Sequence, residues 1–302
     1  MLARVLGVGA TGVELGIGDD AAVLTPPAGR LVWTIDEQVE GVHFEREALA
    51  WDDLGWRSFV AAASDVAAMG ATPWCALAAL VLPDDVDDVA LEAIAAGQRD
   101  AAAIVGAPIV GGNLSRGPAL SLATTVLGSC ERAVARSGAR AGDGLWMAGR
   151  VGLAAAGWLA LQRGRGDEAA LGEAVGAWRR PYPLVAQGQA MGAVAHAAVD
   201  VSDGLARDVG HLAEASGVRV VLDEAALLAD AALVSTGTAL GTSPLELALY
   251  GGEDYALVAA SAEPIHGFRR IGTVREGSGV ALGAHGSGSE RAIEPRGFDH
   301  FG

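Results

Sequence analysis

Apolar residues come in short runs broken by Gly, Pro and Asp, and the runs differ in character along the chain. Residues 31–35, LVWTI, are β-rich and predict a strand that ends at Asp36. Residues 54–69 are alanine-rich and predict a helix opened by Asp52 and Asp53 as caps and closed by Gly70, with Pro73 beyond it. Residues 74–82 predict a buried strand. Residues 86–105 place Val89, Ile94 and Ala101 near helical spacing and stop at Gly106, with the acids of 84–88 as a solvated N-terminal face. Residues 108–110 predict a short strand running into a glycine-rich turn, GGNLSRG, that presents Asn113, and 120–127 predict another strand. The polar segment after Cys130, ERAVARSGARAGDG, marks a boundary between domains 1–132 and 133–302. Beyond it strands and helices alternate: LWMAG as strand, VGLAAAGWLALQRG as helix, 184–196 as helix after Arg180-Pro181-Tyr182-Pro183, and 218–222 as strand.

Composition narrows the classes. A hydrophobic content of 51% excludes general disorder, and no apolar run reaches the roughly 18 to 20 residues of a membrane span. No secretory signal is visible at the start, so the expected compartment is cytoplasmic. Two cysteines, Cys75 and Cys130, have no metal-ligand spacing and make no disulfide framework. The net charge of −16 argues against nucleic acid as partner, because phosphate binding needs clustered Lys and Arg. An anionic small molecule stays open if cations mediate the contact.

Carboxylates recur in similar settings. GIGDDAAVL (16–24) turns on glycines and delivers Asp19 and Asp20 at the mouth of a strand. Asp36 ends the LVWTI strand and is followed by a loop holding His43. Asp65 sits among small apolar residues, where an acid is costly to bury unless paired or ligated. Asp200 and Asp203 flank Ser202 on a strand-to-helix turn in AAVDVSDGLARD, and GGEDY (251–255) again sets glycines before acids. Two glycine patterns are decoys. GVGATG (7–12) has dinucleotide-site spacing but is followed by VELGIGDD rather than a helix, and GRVGLAAAG lacks the Lys-Ser/Thr of a phosphate loop. These acids are either independent turn residues or one set of hard oxygen donors suited to Mg²⁺ or Mn²⁺ rather than zinc. The second reading implies nucleotide-dependent phosphoryl transfer, with cations clamping a polyphosphate that an acidic protein would otherwise repel.

GIGDDAAV, TID…GVHF, SDVAAMGA, GGNLSRG, ARSGARAGD, DVSDGLARD, GGEDY and the terminal GFDHF occur in the order found in bacterial thiamine-monophosphate kinases, of the aminoimidazole ribonucleotide synthetase superfamily, and the chain resembles that family over nearly its whole length. The resemblance implies an α+β fold of two domains. The N-terminal mixed α/β domain would bind ATP and Mg²⁺ and pair across a homodimer into a barrel-like β interface. The C-terminal α/β sandwich would complete the nucleotide and substrate cleft. The implied reaction is ATP plus thiamine monophosphate giving ADP and thiamine diphosphate, with no general base. Carried over by position, Asp20, Thr34, Ile35, Asp36, Asp65, Asn113, Asp200 and Asp203 match metal ligands, with Asp36, Asp65 and Asp203 as the central clamp. Gly112, Asn113, Arg136 and Ser202 match ATP contacts, and His43, Glu253 and Phe298 match contacts to the thiamine substrate. Asn113 replaces the family's usual Asp, so it offers only an amide oxygen, and Ala62 stands where relatives often carry a polar side chain. Alternatives within this resemblance are a purine-synthesis-type ATP-using enzyme and a nucleotide-binding relative with reduced activity.

Overall fold

Residues 31–35 lie in a strand, as their β-branched and aromatic content predicts, but the strand runs over 30–39, so Asp36 is inside it rather than at its end before a loop; the structure, a computed structural model, describes this and the rest of the chain over residues 2–6, 11–283 and 289–298. Gly7 and Gly9 of the GVGATG pattern and Asp299, His300 and Phe301 of the terminal motif lie outside the described residues. The chain divides into two compact units, Met1–Ala67 with Ala71–Ala133, and Ala68–Gly70 with Val134–Gly302. Among the described residues no helix is long and apolar enough to cross a membrane.

The first unit begins with α1 (Leu2–Leu6) and a small ribbon of β1 (Val13–Leu15) and β2 (Val23–Leu24). Its main sheet holds β3 (Arg30–Val39), β4 (Thr72–Leu82), β5 (Ile109–Arg116) and β6 (Ser121–Cys130) in the order β3-β6-β4-β5, antiparallel except for the β4/β5 pair. Two helices, α2 (Trp51–Ala68) and α3 (Asp88–Val105), supply the buried side chains Phe59, Val60, Val66 and Ile94 that the sheet's inner face requires. The helices approach closely because glycines meet backbone: a Cβ on Gly55 would lie 2.0 Å from the Ile94 carbonyl oxygen, and one on Gly97 1.9 Å from that of Asp52. Helix α3 is capped by Asp87, whose side chain accepts from the Ala90 amide, and ends in left-handed Gly106 at φ +80°. The sheet's other face carries exposed apolar side chains. Trp33 is 71% exposed, Ile35 65% and Leu31 53%.

The second unit is built on β7 (Gly144–Ala148), β8 (Ala197–Val201), β9 (Arg219–Asp223), β10 (Ala256–Ser261), β11 (Arg269–Arg275), β12 (Gly279–Gly283) and β13 (Glu290–Ile293). They pair in the order β13-β12-β9-β11-β7-β10-β8, with only β12/β9 parallel among the described pairs. Its helices are α4 (Leu153–Gln162), α5 (Gly172–Arg179), α6 (Val185–Gly192), α7 (Leu205–Ser216), α8 (Glu224–Leu227), α9 (Ala231–Leu240) and α10 (Pro244–Tyr250). One core joins Leu145, Met147, Val199, Val201, Val220, Leu222 and Val258 of the sheet to Leu153, Ala156, Leu205, Val209 and Leu212 of the helices. A smaller cluster, including Met191, Ala195, Ala198, Ala259 and Ile265, covers residues of opposite strand parity.

Three further sequence expectations need correction. GGNLSRG is not a turn: residues 111–116 continue β5 and pair with Leu77–Leu82 of β4, because Gly112 lets the backbones meet where a Cβ would stand 1.9 Å from the Ala78 carbonyl oxygen. Asp52 and Asp53 do not precede the helix as caps but lie in its first turn, since α2 starts at Trp51, and there their charge favours the helix dipole. The helix predicted over 184–196 stops at Gly192, followed by the Ala197 strand.

Candidate functional site

In the first unit the expected ligands converge in part. Thr34 and Asp36 share one face of β3, as residues two apart in a strand must, opposite Val126 and Thr124 of β6. The Thr34 hydroxyl donates to Asp65 Oδ2 at 2.5 Å, which ties that face to α2. Asp65 is the half-exposed position of an otherwise sealed helix stretch, with Ala61, Ala62, Val66 and Ala67 all at 1% exposure or less. An acid is kept there because its neighbour is a hydroxyl donor rather than hydrocarbon. Ile35 falls on the opposite, exposed face, so only its backbone carbonyl could serve as a ligand. Asn113 also lies away from Thr34 and Asp36. It pairs with Ala79, on the face of Leu77 and Trp33, while Gly112 pairs with Ala78 on the inner face. Asp20 is exposed on the bend before β2, and its amide donates to Asp19 Oδ1 at 2.8 Å. His43 sits after β3 in a loop anchored by buried Phe44. Its Nδ1 accepts the Val39 amide at 3.0 Å, which assigns the ring proton of the neutral form to Nε2.

In the second unit several segments meet at one turn, residues 202–204, between β8 and α7. The Asp208 carboxylate, one turn into α7, accepts the amides of Ser202, Asp203 and Gly204 with the same oxygen, each at 3.1 Å. GGEDY docks on one side: Glu253 donates its amide to the Ser202 carbonyl and Tyr255 to that of Val201, both at 2.8 Å. A Cβ on Gly252 would stand 2.4 Å from the Ser202 oxygen, so the approach needs glycine. Glu253 and Tyr255 hold φ of +66° and +51°, a backbone conformation sparsely used by side-chain-bearing residues and often found at functional sites. On the other side the C-terminal segment docks, the Phe298 amide donating to the Asp203 carbonyl at 3.0 Å. The turn therefore brings Ser202, Asp203, Glu253 and Phe298 together, with Asp200 buried just before it in β8.

This turn is acidic. Burial, then the charges of Asp200 and Asp203, push the Asp208 carboxyl up to about 7, against the opposing pull of its backbone hydrogen bonds. Three carboxylates within nine residues repel one another unless a proton or a cation intervenes, and all donors are oxygen, the chemistry that suits Mg²⁺. Among the described residues no three His, Cys, Asp or Glu side chains already form a metal-holding group.

Arg136 is placed elsewhere. Its backbone carbonyl accepts the Ser216 hydroxyl at the C-terminal end of α7, and the Gly138 and Ala139 amides donate to the same hydroxyl oxygen. That end lies about 17 Å along the helix from the Ser202 turn at 1.5 Å per residue. The sequence reading also passed over Asp208 and Asp254. Asp208 could have been noticed as an acid in the first turn of a helix after a glycine. Asp254 is one of the acids of GGEDY, but nothing local shows its capping role: its two carboxylate oxygens accept the Gly152 amide at 2.7 Å and the Ala154 amide at 3.1 Å, so it caps α4 across 100 residues of sequence. Enclosure raises its carboxyl to about 7 although some of its surface stays exposed. Those amides are the ones a phosphate would use, which explains why GRVGLAAAG is not a phosphate loop.

Comparison with known proteins adds a family to this geometry. Residues 18–130 match AIR synthase related protein, N-terminal domain, and residues 140–282 match its C-terminal domain. A thiamine-monophosphate kinase of Mycobacterium tuberculosis (strain ATCC 25618 / H37Rv) is 40% identical over 279 residues, covering 89% of this chain and 82% of that protein. The crystal structure of thiamine-monophosphate kinase from Stenotrophomonas maltophilia K279a superposes with a TM-score of 0.84 at 34% identity, covering 93% of this chain and 96% of the other. A solved complex, AaThiL complexed with AMPPCP and TMP, also gives a TM-score of 0.84, at 31% identity, over 99% of this chain and 94% of that one.

Proposed function

The chain belongs to the AIR synthase related family, and from that premise we propose that it transfers the terminal phosphoryl group of ATP to thiamine monophosphate, giving thiamine diphosphate and ADP. The observation that carries this reading is the turn 202–204. Its amides are consumed by Asp208 and its side chains are acidic, so a polyphosphate cannot bind to it directly. An anionic substrate at such a place needs cations between it and the protein. Mg²⁺ held by carboxylates supplies that neutralisation and charge stabilisation at the transferring group.

The site residues are part of the proposal. Thr34, Asp36, Asp65 and Asp20, with the Ile35 carbonyl, hold metal ions in the first unit, where Asn113 on the other face of the sheet serves a separate ion, and Asp200 and Asp203 hold metal ions in the second. Gly112 and Ser202 contact ATP, and Arg136 holds a part of it remote from the Ser202 turn. His43, Glu253 and Phe298 hold the acceptor. The acceptor phosphate has a second pKa near about 6, so it is already a nucleophile at neutral pH and no side chain has to remove a proton. Transfer is then direct and in line, governed by positioning.

A homodimer is the second part. The other face of the first unit's sheet presents Leu31, Trp33, Ile35 and Leu77, all at least 39% exposed, and an apolar sheet face of this kind calls for a partner. A second copy of the chain, laying its own equivalent face against this one, buries both.

The test is a product assay. Purified protein with ATP, Mg²⁺ and thiamine monophosphate should form thiamine diphosphate and ADP in equal amounts by chromatography. ADP without thiamine diphosphate would mean another acceptor, and ATP binding without either product would mean a non-catalytic relative.

A further inference from the structure

The segment after β13 is a strap laid along α7, and its contacts converge on Arg207. A Cβ on Gly210 would come within 2.7 Å of Pro295, and one on Gly297 within 2.3 Å of the Asp203 carbonyl oxygen and 3.0 Å of the Arg207 side chain, so the strap lies flat on the helix. Arg296 stacks its guanidinium 4.2 Å from the centre of the Tyr250 ring and pairs with Glu246 at 3.4 Å. At the end of the strap, Arg207 donates through Nη1 to the carbonyl oxygen of Phe298, and its Nε lies 3.7 Å from Asp203 Oδ2. One planar guanidinium thus spans the acidic turn and the last described residue of the strap, a geometry that a lysine ammonium cannot reproduce.

We propose that Arg207 is a positioning residue for the acceptor: by tethering the Phe298 carbonyl to the turn that carries Asp203, it fixes the Phe298 ring beside Glu253 and so sets affinity for thiamine monophosphate. This rests on the kinase reading above. Arg207 acts through Phe298 and touches no reacting atom. Phe298 is 44% exposed as a residue while its backbone is held at both the amide and the carbonyl, an arrangement suited to presenting a side chain to a ligand from a fixed base. The 3.7 Å contact to Asp203 allows a competing role, tuning the charge of a metal ligand, and the test separates the two.

Three variants and two readouts decide it. In Arg207→Ala, KM for thiamine monophosphate should rise about tenfold, the loss expected for one hydrogen bond from a charged donor, with kcat, KM for ATP and the Mg²⁺ dependence within about twofold of the parent. Phe298→Ala should raise the same KM, and adding Arg207→Ala to it should change nothing further, because the tether has no ring left to position. Independently of activity, exchange of the Phe298 amide hydrogen should speed up at least about tenfold in Arg207→Ala. Additive effects of the two alanine variants, a shift confined to Mg²⁺ dependence or kcat, or unchanged amide exchange would each overturn the proposal. Absence of thiamine diphosphate formation by the parent protein would instead overturn the kinase reading, while the exchange experiment would still judge the tether.

Discussion

Replacing Asp254 by Asn should make folding stability less sensitive to pH. The carboxylate caps α4 through the Gly152 and Ala154 amides, yet enclosure holds its pKa at about 7 in the folded protein, against about 3.9 when unfolded. The folded state therefore binds more protons than the unfolded state between those values. The group's contribution is fully present below about pH 4 and is lost as pH rises through about 7. Three units at 1.36 kcal/mol each total about 4 kcal/mol, of which roughly 2.5 kcal/mol falls between pH 5 and pH 8. Asparagine keeps one acceptor oxygen, loses about 1 to 2 kcal/mol of hydrogen bonding, and does not titrate. The stability difference, parent minus variant, should thus shrink by roughly 2.5 kcal/mol from pH 5 to pH 8. Asp208, also raised to about 7, adds a slope of the same sign to both proteins and cancels in the difference. Urea unfolding at pH 5, 6, 7 and 8, followed by near-ultraviolet circular dichroism, measures this directly. Trp158 of α4 stacks on Trp178 of α5 with ring centres 4.8 Å apart, so the signal reports the capped helix. A parent-to-variant difference constant to within about 0.5 kcal/mol over that range would refute the argument, because it would mean that Asp254 is ionised throughout.

The other predictions are briefer. Gly97→Ala, whose Cβ would stand 1.9 Å from the Asp52 carbonyl oxygen, should force α2 and α3 apart and lower stability by about 1 to 3 kcal/mol, read as a drop in thermal midpoint. Trp33→Glu, at a 71% exposed position, should leave the monomer's stability within about 0.5 kcal/mol while abolishing self-association in light scattering; a dimer that persists removes this face as the interface. Asp65→Asn should abolish ATP turnover under saturating Mg²⁺, and retained activity removes Asp65 from the metal set. Thr34→Val, which deletes the 2.5 Å donor to Asp65, should weaken Mg²⁺ activation about tenfold with little loss of fold, measured as the Mg²⁺ concentration for half-maximal rate.

Elements with strong local signals were legible from the residues alone. The α3 helix, its left-handed Gly106 stop, residues 31–35 of the 30–39 strand and the SDG turn before α7 all follow from side-chain period, turn chemistry and backbone freedom within a few residues. The family motifs likewise appear as ordered residues, and with them the acids Asp36, Asp65, Asp200 and Asp203. Tertiary structure decided the rest. GGNLSRG became a strand only because β4 lies alongside to pair with it, and that pairing set Asn113 on the face opposite Thr34 and Asp36. Asp254 became the cap of a helix 100 residues away because α4 had no side-chain cap at Gly152. Phe298 reached the Asp203 turn through glycine contacts and one arginine that no local pattern announces. The physical reason is range: propensity and periodicity act over single turns, whereas backbone satisfaction and burial are settled only when distant segments compete for the same few amides and carbonyls.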